Sequence, residues 1–182
     1  MATIDTFKSK LANGGARPNF FRVDLKFPTL VNSGTAADNA TFLIKATSLP
    51  ASTLENIEVP YRGRKVNFSG ERSFEPWTVT IINDTDFSIR RSMERWHDLI
   101  VKYHETNGEV AWENYQETLT VTQLDRNDQP LYRYQFVNSY PTSIASIDLN
   151  YDQTAAVEEF DVTFQYDYYE TVATGRIGLE NA

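Results

Sequence analysis

Hydrophobic and polar residues alternate one by one through residues 160–168, near the end of the chain. Every even-numbered position there is apolar or aromatic, and every odd-numbered position is polar. Such alternation places one face of a β-strand in a core and the other in water, as in an antiparallel sheet with one wet side. Because Asp161 and Asp167 lie on the polar face, we expect this strand to form an acidic wall.

Shorter alternating runs recur along the chain and predict further strands. Two pairs of runs flank turn-forming residues, which predicts two long hairpins. The first hairpin turns at Arg62-Gly63-Arg64, and the second turns at residues 125–130. The predicted strands before the one at 160–168 are residues 20–27, 41–46, 57–61, 66–68, 75–82, 117–124, 131–137 and 144–151.

A single helix is predicted at about residues 86–104, ahead of Gly108. Apolar residues recur there at steps of four, three, four and three, which forms one stripe along a helix. The stripe consists of Ile89, Met93, Trp96, Ile100 and Tyr103. About seven to nine strands with one helix predict a mainly β fold. We expect an antiparallel β-sandwich or a partly open β-barrel, with one flanking α-helix and long hairpins.

The chain length limits the domain organisation. A chain of 182 residues is long enough for one sizeable core and too short for two full domains. We predict a single β domain at residues 1–170, with an N-terminal arm at 1–19 and a C-terminal tail at 171–182. Small polar residues at 31–39 predict a surface loop.

Charge is unevenly distributed along the chain. The net charge is −8, and residues 141–182 contain eight acidic residues but one basic residue. A basic cluster surrounds the first hairpin turn and consists of Arg62, Arg64, Lys65 and Arg72. One interpretation of this cluster is the solvated hairpin of a monomer. The other is head-to-tail contact between copies of the chain through zones of opposite charge.

Cysteine content and hydropathy limit the compartment. The chain has no cysteine, which excludes disulfides and thiolate metal sites. Its N-terminus lacks the basic and apolar blocks of a signal peptide, and no apolar run approaches the roughly 18 residues of a membrane helix. We expect a soluble product of the cytosol that does not contact membranes.

Searching the sequence for catalytic or metal-binding chemistry gives little. His97 and His104 stand about 10.5 Å apart along the predicted helix, which is too far for one shared metal. Residues 125–128 weakly resemble a calcium loop but lack its turn glycine and its distal glutamate. No phosphate loop, nucleophile elbow or zinc motif is present. We predict no catalytic residues, no cofactor and no metal, and we expect Trp77 and Trp96 to be core residues.

Several motifs, in order along the chain, resemble the tail tube proteins of T-even type contractile-tailed bacteriophages. The resemblance spans residues 16–170, with a longer loop at 28–40 and an added tail at 171–182. The motifs are Ala16-Arg17-Pro18-Asn19-Phe20-Phe21, Lys45-Ala46-Thr47-Ser48-Leu49-Pro50, Arg64-Lys65-Val66-Asn67, residues 70–80, Tyr140-Pro141-Thr142-Ser143-Ile144, Leu149-Asn150-Tyr151-Asp152 and residues 159–164.

The resemblance implies a structural role in a virion. Members of the family form hexameric rings that stack into a hollow tube inside a contractile sheath, and strands of each subunit join a continuous inner β-barrel. The implied partners are the chain itself, the tail sheath protein, baseplate and tail-terminator proteins, and double-stranded DNA that passes without specific binding. The implied location is the virion tail, after assembly in the host cytoplasm. Two alternatives are the inner tube of a contractile secretion or injection system that carries protein effectors, and a monomeric ligand-binding β-barrel.

The two hairpins supply candidate interface residues. Since open edge strands are completed by a partner, residues 54–69 and 117–137 are expected to join neighbouring subunits, with Val66 and Val121 at the junctions. The basic cluster at Arg62, Arg64, Lys65 and Arg72 is expected to contribute electrostatic contacts between rings or subunits. Asp161 and Asp167 are candidates for a negative lumen, and an outward-facing final strand is the alternative.

Overall fold

The computed structural model describes residues 3–11, 15–105 and 107–172 of the chain. In chain order its elements are α1 (Ile4–Lys10), β1 (Phe21–Asp24), α2 (Ala36–Leu43), β2 (Ile44–Thr47), β3 (Ser52–Tyr61), β4 (Arg64–Phe74), β5 (Trp77–Ile82), α3 (Ser88–Ile100), β6 (Glu117–Leu124), β7 (Pro130–Ile144), β8 (Glu159–Gln165) and β9 (Tyr168–Val172). A 3-10 turn at Trp112–Asn114 precedes β6. Neighbouring strands pair antiparallel throughout.

The longest strand, β7, joins two layers of sheet. Its first part pairs with β6 and β9, and its last part pairs with β8. Asn138, close to the junction of these parts, has a positive φ of 57°. We call the layer β1-β6-β7-β9 sheet A and the layer β7-β8-β5-β2 sheet B. The predicted mainly β, antiparallel fold is confirmed, and the strands that the structure describes do not close into a barrel.

The core lies between the inner faces of the two sheets and α3. Trp77 of β5 stacks on Phe136 of β7, with ring centroids 4.3 Å apart. The even-numbered residues of β8 point to this core, as the alternation predicts. Burying such large apolar side chains supplies most of the driving force for folding, at roughly 25 cal/mol per Å². The largest fully buried side chains include Trp77, Trp96, Phe136, Phe164, Ile81, Ile89, Met93 and Leu119.

The predicted helix forms as α3 but is shorter at both ends than residues 86–104. It begins at Ser88, because the backbone amide and the hydroxyl of Ser88 both donate to the Asp84 carboxylate, at 2.9 and 2.6 Å. Phe87, just before it, has a positive φ of 52° and cannot continue the helix backwards. His104 therefore lies beyond the helix that carries His97. None of the helices in the described ranges is long and apolar enough to cross a membrane.

The segment before β2 departs from the sequence prediction. Residues 36–43 form α2, where a loop followed by a strand from residue 41 was expected. Ala36 and Ala40 lie one helical turn apart and are both fully buried. A helix that contacts the core through alanines has no large apolar stripe, so its periodicity does not stand out in the sequence. The N-terminal arm also contains a helix, α1, which Thr3 caps by accepting from the Thr6 amide.

The segment at the end of the described chain is two strands rather than one. The alternating residues 160–168 are divided between β8 and β9, with Tyr166 and Asp167 in the connection. β8 belongs to sheet B and β9 to sheet A. The run predicted at 144–151 is not a strand, because β7 ends at Ile144. Most of the predicted C-terminal tail, residues 173–182, lies outside the described residues.

Candidate functional site: a projecting hairpin and two open sheet edges

The hairpin β3–β4 extends away from the two sheets. Its strands pair with each other through nine residue pairs and form a separate two-stranded sheet. All residues of β3 are exposed, and so are all residues of β4 except Gly70 and Phe74, which are partly buried. An isolated two-stranded hairpin is only marginally stable in water. This hairpin therefore has the form of an element that is completed by contact with another molecule.

The tip of the hairpin is a two-residue turn that carries positive charge. Arg62 and Gly63 have φ values of 48° and 80°. Positive φ at both central residues is the type I′ geometry, whose twist matches that of the flanking strands. The Arg62 guanidinium lies 5.4 Å from the centroid of the Tyr61 ring. The tip is thus a compact turn with a cation over an aromatic ring.

One face of the hairpin is apolar and exposed. Cross-strand pairing places Ile57 opposite Phe68, and Val59 opposite Val66. We call Ile57, Val59, Tyr61, Val66 and Phe68 the hairpin apolar face. Between 40% and 61% of each of these side chains is exposed. A contiguous apolar surface of this kind marks a site of protein–protein contact.

The opposite face of the hairpin is polar and internally paired. Lys65 Nζ lies 2.6 Å from a Glu58 carboxylate oxygen, and the Asn56 side-chain amide donates to Asn67 Oδ1 at 3.2 Å. The predicted cation Lys65 is therefore already paired within the hairpin, on the polar face. The two faces of the hairpin therefore differ in polarity, one apolar and one paired by polar side chains.

Aromatic side chains fix the base of the hairpin to sheet A. The Phe74 ring lies 5.5 Å from Tyr169 of β9 and 6.0 Å from Tyr166. The Tyr169 hydroxyl and the Ser52 hydroxyl are 3.3 Å apart, which ties the start of β3 to the same strand. Burial raises the pKa of Tyr166, and this hydroxyl has no hydrogen-bond partner among the described residues. The hairpin is consequently anchored at its base and free along its length.

Sheet A has an open strand at each end. β1 pairs only with β6, and β9 pairs only with β7, among the described strands. Each edge exposes a row of backbone donors and acceptors, which is a template for pairing with another chain. The two edge strands are short and similar in length, with four and five residues.

The outward face of sheet A carries charges of both signs. Arg22 and Arg133 lie in one row across the sheet with Thr122, and Asp24 and Glu170 lie in the next row. Arg22 Nε is 3.4 Å from Asp24 Oδ1, and Arg133 Nε donates to Thr122 Oγ1 at 3.4 Å. The Arg22 and Asp24 side chains are nearly half exposed, whereas Thr122 in the same sheet is fully buried.

Five of the six predicted interface residues lie on the hairpin. Val66 belongs to the hairpin apolar face, and Arg62, Arg64, Lys65 and Arg72 are all exposed. Val121 is a correction to the prediction: it lies on β6, an interior strand between β1 and β7, and only 1% of it is exposed. The hairpin β6–β7 is part of the subunit core, because its alternating apolar residues pack inward rather than at an edge.

The two predicted lumen acids lie in different places. Asp161 is on the outward face of sheet B, where its carboxylate accepts from the Thr80 hydroxyl at 2.7 Å. Asp167 is in the connection into β9, where it accepts from the Asn138 side-chain amide at 2.6 Å. They do not share a strand face, because the chain passes from sheet B to sheet A between them.

Sequence reasoning missed the open edges of sheet A and the exposed stripe of α1. The stripe consists of Ile4, Phe7 and Leu11, at steps of three and four that a helical reading of the arm could have found. The edges could not have been found in the same way, since they depend on which strands pair across long stretches of chain. The alternation in β1 was recognised, but alternation does not distinguish an edge strand from an interior one.

Metal-ligating side chains do not cluster within the part of the chain that the structure describes: no three or more of them there are close enough to hold one ion. The loop before β8 and the first residue of β8 line an open cleft of about 650 Å³, between residues 146 and 159. Two acids of this cleft are already engaged: Glu159 with Lys45 at 2.7 Å, and Glu158 with the Asn83 amide at 2.9 Å. The exposed apolar face of the hairpin and the open edges of sheet A are therefore the features that call for a functional explanation.

Comparison with known proteins gives consistent results. Residues 16–172 match the family described as phage tail tube protein. The chain is 31% identical to the tail tube protein gp19 of Enterobacteria phage T4 over 158 residues, which cover 85% of this chain and 91% of that protein. It is 26% identical to the tail tube protein of Serratia phage KSP90 over 168 residues, which cover 91% and 95% of the two chains.

Solved structures with a similar fold come from contractile assemblies. A chain in the sheath–tube complex of the PVC extracellular contractile injection system superposes with a TM-score of 0.60 at 13% identity, covering 96% of this chain and 100% of that one. A chain of the anti-feeding prophage baseplate also gives a TM-score of 0.60, at 11% identity, covering 87% and 95%. At such low identity these likenesses concern the fold alone.

Proposed function

The chain belongs to the phage tail tube protein family, and on that basis we propose that it is the structural subunit of the inner tube of a contractile phage tail. In this role it forms hexameric rings, which stack into a conduit for the genome during ejection into the host. The observation that carries the proposal is the hairpin apolar face, which the subunit alone leaves in water. A role in assembly explains such a surface, and a monomeric ligand-binding barrel does not.

Ring formation follows from the open edges of sheet A. With β1 at one edge and β9 at the other, an edge of one subunit pairs with the opposite edge of the next. This contact is heterologous, and it generates a closed ring when the rotation closes. The four strands of sheet A alternate in direction, so β9 meets the next β1 in antiparallel orientation, as within the subunit. The ring then has one continuous antiparallel wall.

Stacking of rings is assigned to the hairpin β3–β4. It projects beyond the sheets and presents the hairpin apolar face, so it can bury that face against the adjacent ring. The cations at its tip add contacts with the acidic C-terminal part of the chain. Lys65 contributes less to these contacts than Arg62 or Arg64, because it is already paired with Glu58.

The lumen in this arrangement is lined by the outward face of sheet A, since the other face is covered by the core. That face carries Arg22, Arg133, Asp24 and Glu170, two charges of each sign, and Lys26 beside them is paired with Glu117 of the same subunit. Binding to DNA is driven by neutralising phosphates with an excess of positive charge. A lumen surface on which positive and negative charges are equal in number therefore lets the duplex pass without specific binding. Asp167, at the end of sheet A, is the better candidate for a lumen acid, and Asp161 on sheet B faces elsewhere.

The proposed partners are the chain itself, a sheath protein around the tube, and baseplate and terminator proteins at its two ends. The proposed location is the tail of the virion, after assembly in the host cytoplasm. A tube of an injection system that carries protein effectors is the second candidate, favoured by the fold likeness to the PVC sheath–tube complex. Identity of 31% with a phage protein, against 13% with that chain, supports the phage role.

Imaging of the purified chain tests the assembly. We expect hexameric rings and stacked tubes by negative-stain electron microscopy, with matching masses in sedimentation. Phe68→Ser removes a large side chain from the hairpin apolar face and is expected to yield unstacked rings or free subunits. The matched control is Asn67→Ser, one position away on the polar face, which is expected to stack normally. A wild-type chain that remains monomeric at all concentrations would overturn the proposal.

A further inference from the structure

We propose that β9 of one subunit pairs with β1 of the next in one particular register, in which Glu170 lies opposite Lys26. This inference rests on the ring proposed above and goes beyond it, because it assigns a residue-level contact between two copies of the chain. Three properties of the two edge strands lead to it: the face on which each side chain lies, the charges on that face, and the direction of the stagger that closes a barrel.

Face matching limits the register to a few choices. Val23 and Leu25 are buried, so Arg22, Asp24 and Lys26 lie on the outward face of the β1 segment. On β9, Tyr169 packs on Phe74 at the base of the hairpin, and Glu170 therefore points outward. A one-residue slip would turn every side chain of one strand to the wrong face. Glu170 must then lie opposite Arg22, Asp24 or Lys26 of the neighbouring subunit.

Charge excludes one of these three partners. Like charges placed directly opposite each other across two strands are destabilising, which removes Asp24. Arg22 and Lys26 are both cationic and remain. Each already has a partner in its own subunit, Arg22 with Asp24 at 3.4 Å and Lys26 with Glu117 at 2.8 Å, so these pairs do not decide between them.

The rows of residues across sheet A show what an unstaggered ring would look like. Arg22, Thr122, Arg133 and Val172 lie side by side. If that row continued level into the next subunit, Val172 would meet Arg22 and Glu170 would meet Asp24. Closed barrels do not have level rows, because their strands tilt and the register is staggered. Glu170 must therefore shift away from Asp24 towards Arg22 or towards Lys26.

The direction of the shift follows from the hand of the sheet. The Phe20 carbonyl accepts from the Leu124 amide, so the backbone groups of even-numbered β1 residues point to β6. Consider sheet A viewed from its outward face, with β1 running upward and its even-numbered side chains towards the viewer. In a strand of L-residues the backbone groups of those residues then point to the right. The strands β6, β7 and β9 therefore follow to the right of β1. Strands with right-handed twist coil in a right-handed sense around a barrel. Because the outward face of sheet A lines the lumen, this view is from inside the barrel, and there a row of side-by-side residues rises to the right. The row that contains Glu170 begins at Asp24, so it meets the β1 segment of the next subunit above Asp24, towards its C-terminal end. The next outward-facing residue there is Lys26, which becomes the partner of Glu170.

Lys26 is placed to make this contact. Its side chain is 69% exposed, and its Nζ lies 2.8 Å from the Glu117 carboxylate at the start of β6. One ammonium group would then join Glu117 of its own subunit and Glu170 of the neighbour. Lys26 follows the end of β1 by two residues, and when the strand is continued to it the same alternation makes Lys26 and Glu170 a non-hydrogen-bonded pair. Such pairs bring the Cα atoms to about 4.5 Å, the closest approach in an antiparallel sheet.

Disulfide trapping tests the register directly, and the chain has no cysteine of its own. The test variant carries Lys26→Cys with Glu170→Cys. The two matched variants combine Glu170→Cys with Asp24→Cys or with Arg22→Cys. Opposite residues are within disulfide range, whereas residues two positions off register are about 7–8 Å apart and are out of range. Within one subunit, sites 26 and 170 are separated by three strand spacings of about 4.8 Å each, so a disulfide there reports a contact between subunits.

The expected result is a ladder of covalent oligomers up to the hexamer on a non-reducing gel for the first variant alone. Trapping through position 22 or 24 instead, or no trapping at position 26 in rings that form normally, would overturn the register and leave the proposed function intact. If the wild-type chain forms no rings, the proposed function fails and the register fails with it.

Charge exchange provides a second measurement that does not depend on oxidation. Glu170→Lys alone is expected to weaken the contact between subunits about five- to tenfold, the size of an exposed ion pair turned into a repulsion. Adding Lys26→Glu is expected to restore association to within about twofold. The matched control adds Arg22→Glu to Glu170→Lys, and it should not restore association. Equal rescue by both second changes would contradict the register.

Discussion

His97 shows how a single buried side chain couples stability to pH. Burial lowers its pKa below the ordinary value of 6.5, and a backbone hydrogen bond with Pro141 and the nearby Glu94 carboxylate offset this only in part. Its Nε2 atom is buried and has no partner among the described residues. The unfolded chain therefore binds a proton more readily than the folded chain just below pH 6.5, and the folded state is destabilised there.

We expect the melting temperature of the wild-type subunit to be highest above pH 6.5 and to fall as the pH drops towards 5. His97→Gln should flatten this dependence, because it removes the group that must be protonated. His104→Gln, at an exposed position outside α3, is the matched control and should keep the wild-type slope. Thermal melts from pH 5 to 8, on proteins brought to the same assembly state, check this. Equal slopes for the wild type and His97→Gln would contradict it.

Residue-level packing was partly predictable from the sequence. The periodicity around Trp77 and Trp96 indicated core positions, and both side chains are fully buried. The hydrogen bonds of their indole N–H groups were not predictable. Trp77 donates to the Ser48 carbonyl at 2.9 Å, and Trp96 donates to the Tyr115 carbonyl at 2.7 Å. These partners lie in irregular segments, whose backbone positions are set by the fold rather than by a local pattern.

At the scale of elements, the alternation of apolar and polar residues identified strand regions but did not show where one strand ends and the next begins. It predicted the strand region at 160–168 but not the break that divides β8 from β9. Both strands have the same period, so the pattern continues across the connection while the chain changes sheets. The helix α2 was missed for the opposite reason, because its buried contacts are small alanines. A pattern in hydrophobicity reports burial of large side chains and carries little information where the packing residues are small.

The hairpin β3–β4 provides a prediction at the same scale. Gly63 has a φ of 80°, and a Cβ there would meet nothing within 4 Å. Gly63→Val is therefore strained in the backbone without a clash, at a cost on the order of 1–3 kcal/mol. Because the tip is far from the core, we expect an unchanged fold by circular dichroism and shorter or fewer tubes by electron microscopy. Gly63→Asn is the matched control, since asparagine tolerates positive φ. Equal tube lengths for the two variants would show that the tip does not contribute to stacking.

At the scale of the whole molecule, the fold class and the likeness to tail tube proteins could be read from the sequence, whereas the position of the open edges could not. Sheet A is assembled from strands far apart in the chain, with β1 at one edge and β9 at the other. Local patterns do not specify such pairing. Val121 illustrates the consequence: it alternates as an edge residue would, yet it lies on an interior strand and is part of the core.

Charge asymmetry leads to a prediction about the stack as a whole. The hairpin tip is basic and the C-terminal part of the chain is acidic, so the proposed contact between rings joins opposite charges. Exposed charges are screened beyond about 8 Å at physiological ionic strength and beyond about 3 Å at 1 M salt. We therefore expect raised salt to slow polymerisation, measured by light scattering at a fixed protein concentration.

Arg64→Glu separates this effect from a general sensitivity to salt. It reverses one charge beside the hairpin tip, where Arg64 pairs with Tyr61, and should reduce the polymerisation rate at low salt several-fold while weakening its dependence on salt. Arg91→Glu makes the same change of charge on the exposed side of α3, away from the hairpin, and should polymerise like the wild type. A rate that responds neither to salt nor to Arg64→Glu would mean that burial of the hairpin apolar face alone holds the rings together, since apolar burial does not weaken as charges are screened.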